Sequence, residues 1–163
     1  MKYLAQGIAY AAFAMLVGLF SVWPKYRLLA QDQAIVSLTF SHAAQRIGEC
    51  RRLTQEELNE LPPNMRVPTD CPRQRHPISV EFRVDGAVLY QQKLQASGLW
   101  ADGKATVYQR LQIDAGPHEL FIGMNDSGGG KAFDYEMKTV QDIWPGRNLV
   151  IDFDELQRTF VFR

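Results

Sequence analysis

Ile78-Ser79-Val80-Glu81-Phe82-Arg83-Val84-Asp85-Gly86 alternates apolar and polar side chains with a period of two. That period belongs to a half-buried β-strand, whose successive side chains point to opposite faces. Asp85-Gly86 is strong hairpin-turn chemistry, and Ala87–Leu94 follows as the returning strand.

The same pattern continues on both sides of this hairpin. Ile35–Phe40 reads as a strand before it and Ala105–Ile113 as one after it. Ala115-Gly116-Pro117 then turns the chain into His118–Met124, where Leu120, Ile122 and Met124 share a face. Asp126–Gly130 is a glycine-rich turn, after which Phe133, Tyr135 and Met137 alternate with Asp134, Glu136 and Lys138. Pro145-Gly146 introduces Leu149, Ile151 and Phe153, and the apolar finish at Phe160 and Phe162 belongs in a sheet. Short strands separated by turn chemistry at this spacing predict a mainly β fold. The expected architecture is an antiparallel β-sandwich of Ig-like kind, with a small barrel as the alternative.

The first stretch of the chain is different in kind. Tyr3–Trp23 contains no charged residue, and only Gln6 and Ser21 are plainly polar. As a helix it would extend ~31 Å, enough for a hydrocarbon core of ~30 Å. Tyr3 and Trp23 suit the two headgroup regions, Pro24 stops the helix, and Lys25 and Arg27 follow. The apolar core exceeds that of a signal peptide, and Leu28-Leu29-Ala30 is a poor cleavage site. We therefore expect an uncleaved single-pass anchor over residues 1–27 and one extracytoplasmic domain over residues 28–163. Gly7 with Ala11, and Ala14 with Gly18, give the helix a small face on which another membrane helix could pack closely.

Flanking charge does not orient this helix, because Lys2 and the α-amino group nearly balance Lys25 and Arg27. The only two cysteines decide. Cys50 and Cys71 bracket Thr54-Gln55-Glu56-Glu57 and, further on, Pro62-Pro63, a capping box followed by a helix stop. So short a helix needs an external constraint, and a disulfide is expected to close this helical insert, residues 46–76. Cys-x-x-Cys spacing is absent, and His76 alone is too few further ligands for a metal. A disulfide favours an oxidising compartment, the bacterial periplasm or an equivalent lumen. The expected location is the inner membrane, with the C-terminal domain in the periplasm.

Composition and motifs narrow the function. At 46% hydrophobic and 22% charged, the chain of 163 residues is that of a folded protein. Without Lys2, Lys25 and Arg27, it carries 15 basic against 18 acidic residues, which argues against nucleic acid. His42, His76 and His118 show no ligand spacing, and no nucleophile elbow, phosphate loop or His-Glu-x-x-His motif is present. His118 reads as a turn or surface residue, and Ser127-Gly128-Gly129-Gly130 as a flexible hairpin tip. Asn125, Asp126 and Asp134 match no calcium-loop pattern. We expect no enzyme, no metal or cofactor and no defined small-molecule substrate.

The features that suit a partner are arginines and tryptophans. Arg51, Arg52, Arg66, Arg73 and Arg75 crowd the insert, and Trp100 and Trp144 sit beside turns. Guanidinium forks and large aromatic rings are favoured at interfaces. The expected function is an accessory, assembly or scaffolding protein, anchored in the bilayer and bound to a larger integral membrane complex. The alternative is an envelope ligand-binding module, for carbohydrate or another cell-envelope component, in which tryptophan stacks on the ligand.

Overall fold

The computed structural model describes residues 2–25, 29–130 and 132–163. Arg27 and Leu28, read above as a flanking charge and part of a poor cleavage site, lie outside the described residues. The chain divides into two units, Met1–Gln31 and Asp32–Arg163. In the first, α1 runs from Lys2 to Val22, and its 21 residues are long and apolar enough to cross a membrane. A signal sequence passes the same test of length and composition. The small face of Gly7, Ala11, Ala14 and Gly18 lies on this helix, with open space around both glycines.

Strands account for 45% of the residues, so the chain is mainly β. In the second unit the long strands are β1 (Gln33–His42), β4 (Ile78–Val84), β5 (Ala87–Leu94), β6 (Ala105–Asp114), β7 (Gly116–Asn125), β8 (Tyr135–Ile143), β9 (Asn148–Asp154) and β10 (Thr159–Phe162). Two short strands, β2 (Arg51–Arg52) and β3 (Thr69–Asp70), belong to the insert, as does the helix α2 (Gln55–Glu60). The long strands form two four-stranded sheets, in the orders β10-β9-β1-β6 and β5-β4-β7-β8.

The predicted alternation in β4 is realised. Ile78, Val80, Phe82 and Val84 are buried in one core with Val36, Leu38 and Phe40 of β1, Leu120, Ile122 and Met124 of β7, and Leu149, Ile151 and Phe153 of β9. Each such side chain contributes about 1.5–3 kcal/mol by leaving water, which makes this shared core the main stabilising term. Asp85 and Gly86 both take positive φ, as the tight hairpin between β4 and β5 requires.

Three details depart from the pattern read in the sequence. β1 pairs antiparallel with β6 along its whole length but parallel with β9, from Ile35↔Asn148 to Leu38↔Ile151. Period two reports which face of a strand is buried and is silent on strand direction. Phe133 is not in register with Tyr135 and Met137, since β8 begins only at Tyr135. Its ring lies instead over Gly123, where a Cβ would collide with it, and stacks on Phe121 at 5.6 Å.

The third departure is His118, which is a clamp and not a free surface residue. Its Nδ1 lies 2.6 Å from Asp85 Oδ2 and its Nε2 lies 2.9 Å from the Asp114 carbonyl. Both partners accept, so only an imidazolium with two N–H groups serves both. The Asp85 carboxylate, first among the causes, raises the His118 pKa above 6.5. In return the His118 hydrogen bond, followed by the Glu119 amide, holds Asp85 below 3.8. The stabilisation from His118 is therefore complete below about pH 6.5 and lost as pH rises through its folded value. That from Asp85 is present above about pH 3.8 and lost as pH falls through its folded value. Thermal melts against pH should show the advantage of the native chain over His118→Gln to be largest between about pH 4 and 6.5 and to shrink toward about pH 9. An advantage independent of pH would show that the clamp is not ionic.

A candidate docking site at the far end of the body

Backbone polarity sorts the loops into two groups. The second unit begins at Asp32, whose carbonyl accepts from Ala115 N–H, and Gln33 accepts from Gly146 N–H. The 85–86, 114–116 and 144–147 turns thus gather at this near end. His42, the last residue of β1, marks the far end, where the insert and the 97–104, 126–134 and 154–158 loops leave the sheets.

The far end of the core is aromatic. Phe153 is ringed by Phe160 at 5.1 Å, Tyr135 at 5.1 Å and His42 at 5.0 Å, all edge-to-face. His42 is 8% exposed and Asp126 only 2%. Their Nε2 and Oδ2 atoms are 2.7 Å apart, and Gln45 donates to the other carboxylate oxygen at 3.1 Å. This buried contact crosses from one sheet to the other, since β1 and β7 lie in different sheets. Burial, then the charge of Asp126, pushes the Tyr135 phenol pKa upward.

The glycine-rich turn is tied down, contrary to its reading as a flexible tip. Asp134 accepts from the backbone N–H groups of Asp126 and Ser127 and from the Ser127 hydroxyl. Asn125 donates to the Gly129 and Ala132 carbonyls, and a Cβ at Gly128 would strike the His76 ring. The carboxylates of Asp126 and Asp134 therefore face protein donors. Among the described residues no group of three or more His, Cys, Asp or Glu could hold a metal ion.

The insert carries the expected disulfide, Cys50–Cys71. Beside it β2 pairs antiparallel with β3. Thr54 caps α2 in a full capping box with Glu57. The Arg51 hydrogen bond at 2.6 Å, followed by the Thr54 amide, draws the Glu57 carboxyl down to about 2. A groove of about 1080 Å³ opens between these elements, with Leu53, Leu61, Met65 and Val67 as its apolar residues.

Five of the seven residues singled out for partner contact lie in this insert, and Trp100 joins them at the same end. Arg73 pairs with Asp102 at 2.7 Å, and Arg75 donates to the Ala44 and Asp102 carbonyls. Arg66 donates to the Leu61 and Asn59 carbonyls, and Arg52 stands exposed on β2. Most of these arginines thus brace loops, and Arg73 and Arg75 fasten the insert to the 97–104 loop. Lys104 in turn pairs with Glu155 at 3.0 Å, which ties that loop to the β9–β10 turn. Trp144 lies apart at the near end, under the Arg147 guanidinium at 4.1 Å.

On these braced loops stand side chains that water would otherwise expel. Leu99 is 92% exposed, Trp100 64% and Leu156 97%. Asp154 accepts from the Leu156 and Gln157 amides and so holds Leu156 in a fixed turn. Sequence reading found Trp100 but not Leu99 or Leu156, and it set aside His42 for want of ligand spacing and Asp126 for want of a calcium-loop pattern. The Asp154 turn residue two places before Leu156 was the one available signal; His42 and Asp126 are 84 residues apart and carried none.

No protein-family model matches the chain, and no curated protein sequence matches it.

The bracing by Cys50–Cys71 is open to a direct check, because trypsin cuts after arginine and Arg51, Arg52 and Arg66 lie within the insert. The Cys50→Ser/Cys71→Ser chain should be cut there severalfold faster than the native chain, with the β core left intact, since the insert contributes almost nothing to that core. Equal cleavage rates would show that the disulfide does not hold the insert.

Proposed function

We propose that the chain is a membrane-anchored, non-catalytic accessory or assembly protein that docks on a larger integral membrane complex. In this function α1 crosses the inner membrane and the two sheets form an Ig-like sandwich in the periplasm. The observation that carries it is the set of exposed apolar side chains, Leu99, Trp100 and Leu156, on loops held in place by Arg73–Asp102 and Lys104–Glu155. Burying a leucine is worth about 1.5–3 kcal/mol, and loops fixed beforehand lose little entropy on docking. The Cys50–Cys71 disulfide supports an oxidising compartment. The stripe of Gly7, Ala11, Ala14 and Gly18 supports a helix partner within the bilayer.

A second reading, an envelope ligand-binding module, is favoured by Trp100 alone, because one face of Trp144 is already covered by Arg147. Binding of soluble glycans that disappears on Trp100→Ala would support it over docking.

Purification from gently solubilised native membranes should bring down a defined complex. The Leu99→Ser/Trp100→Ala/Leu156→Ser chain should lose it without a change in melting temperature, since none of the three is in the core. Gly7→Leu/Gly18→Leu should weaken the same complex. A consistently lone monomer from the native chain would overturn the proposal.

A further inference from the structure

A cavity of about 450 Å³ opens beside the buried His42–Asp126 contact, within the size range of small-molecule sites. Tyr135 and Phe153 supply aromatic rings to its wall, and Arg75, Glu155 and Arg158 also line it. Counting Lys104, which pairs with Glu155, three cations (Arg75, Lys104 and Arg158) stand against the two carboxylates of Glu155 and Asp126. Glu155 gives both carboxylate oxygens to Lys104, at 3.0 and 3.1 Å. Asp126 is taken up by His42 and Gln45. Arg75 spends its hydrogen bonds on the Ala44 and Asp102 carbonyls, which leave its charge unneutralised. Arg158 donates to no other described residue. Two guanidinium charges thus line a cavity whose carboxylates already have partners.

One buried atom adds to this. His42 Nδ1 has no hydrogen-bond partner in the protein. A buried polar atom left in that state costs about 1–3 kcal/mol, and a ligand oxygen relieves it only where that nitrogen carries a proton. A ring that donates from both nitrogens would serve Asp126 on one side and an anionic oxygen on the other.

We propose that this cavity binds a small organic carboxylate with a planar apolar body, its charge held by Arg158 and Arg75 and its body against Tyr135 and Phe153. Guanidinium forks match carboxylates in geometry, and the Tyr135 and Phe153 rings offer apolar surface to a planar body. This site shares the 154–158 turn with the docking surface but needs no partner protein.

The test is titration of benzoate and of benzamide, its neutral isostere, into the full chain in lipid nanodiscs. Calorimetry should report saturable benzoate binding at one site per chain, with benzamide weaker by about tenfold or more, the value of ~1.4 kcal/mol. Arg158→Asn should weaken benzoate by a similar factor. Asparagine tolerates the positive φ of 54° at that position, so the hairpin should keep its shape. Arg147→Gln, at the near end, should leave binding unchanged. Nitrogen NMR should show the His42 Nδ1 signal moving with benzoate and not with benzamide. Absence of saturable benzoate binding, equal binding of benzamide, or full binding by Arg158→Asn would each overturn the proposal. Because the chain is measured alone, none of these outcomes bears on docking to a membrane complex.

Discussion

The buried contact between His42 and Asp126 joins the last residue of β1 to the first residue beyond β7, and so ties one sheet to the other at the far end. The apolar faces of the two sheets would attract each other without it, since hydrophobic burial has no direction. What the contact adds is a polar, directional link between them. It sits where β1 stops, and Gln45, just before the insert, adds a second bond to Asp126. Below it Phe153 fills the space between Tyr135 and Phe160. Removing one partner would leave a buried polar group unpaired, at a cost of about 1–3 kcal/mol or more, just where the loops are anchored.

From this anchor the bracing runs outward in steps. His76 donates its backbone N–H to the Gln45 carbonyl at the base of the insert, and Arg75 donates to the Ala44 and Asp102 carbonyls. Asp102 is shared with Arg73, and Lys104 hands the chain of contacts on to Glu155. Ion pairs this exposed are each worth less than about 1 kcal/mol, so they do not stabilise the fold appreciably. Their effect is to hold loops that carry bare leucine and tryptophan, which is why the arginines read as partner-binding residues act here largely as struts.

How much was legible follows from the range of each interaction. Local chemistry was readable: the β4 alternation, the Asp85-Gly86 turn and the Thr54–Glu57 capping box each depend on residues a few places apart. The disulfide was readable because only two cysteines exist. The parallel alignment of β1 with β9 was not, because it is set by how the chain returns after β8, more than 100 residues from β1. His118 looked like a turn residue because its partner Asp85 lies on another hairpin. Phe133 was assigned to the wrong face because Asp134, by capping the 126–127 amides, delays the start of β8. The two residues at the centre of the far end, His42 and Asp126, were the least legible for the same reason.

In the proposed function the far end of the β body meets another protein in the native membrane. Photo-crosslinking tests it most directly, with benzoylphenylalanine placed at Leu99 or Leu156, and at exposed Val140 on β8 as a control. The proposed docking predicts one discrete heavier product from positions 99 and 156 and none from 140. No product at either far-end position, or the same products from all three, would contradict it.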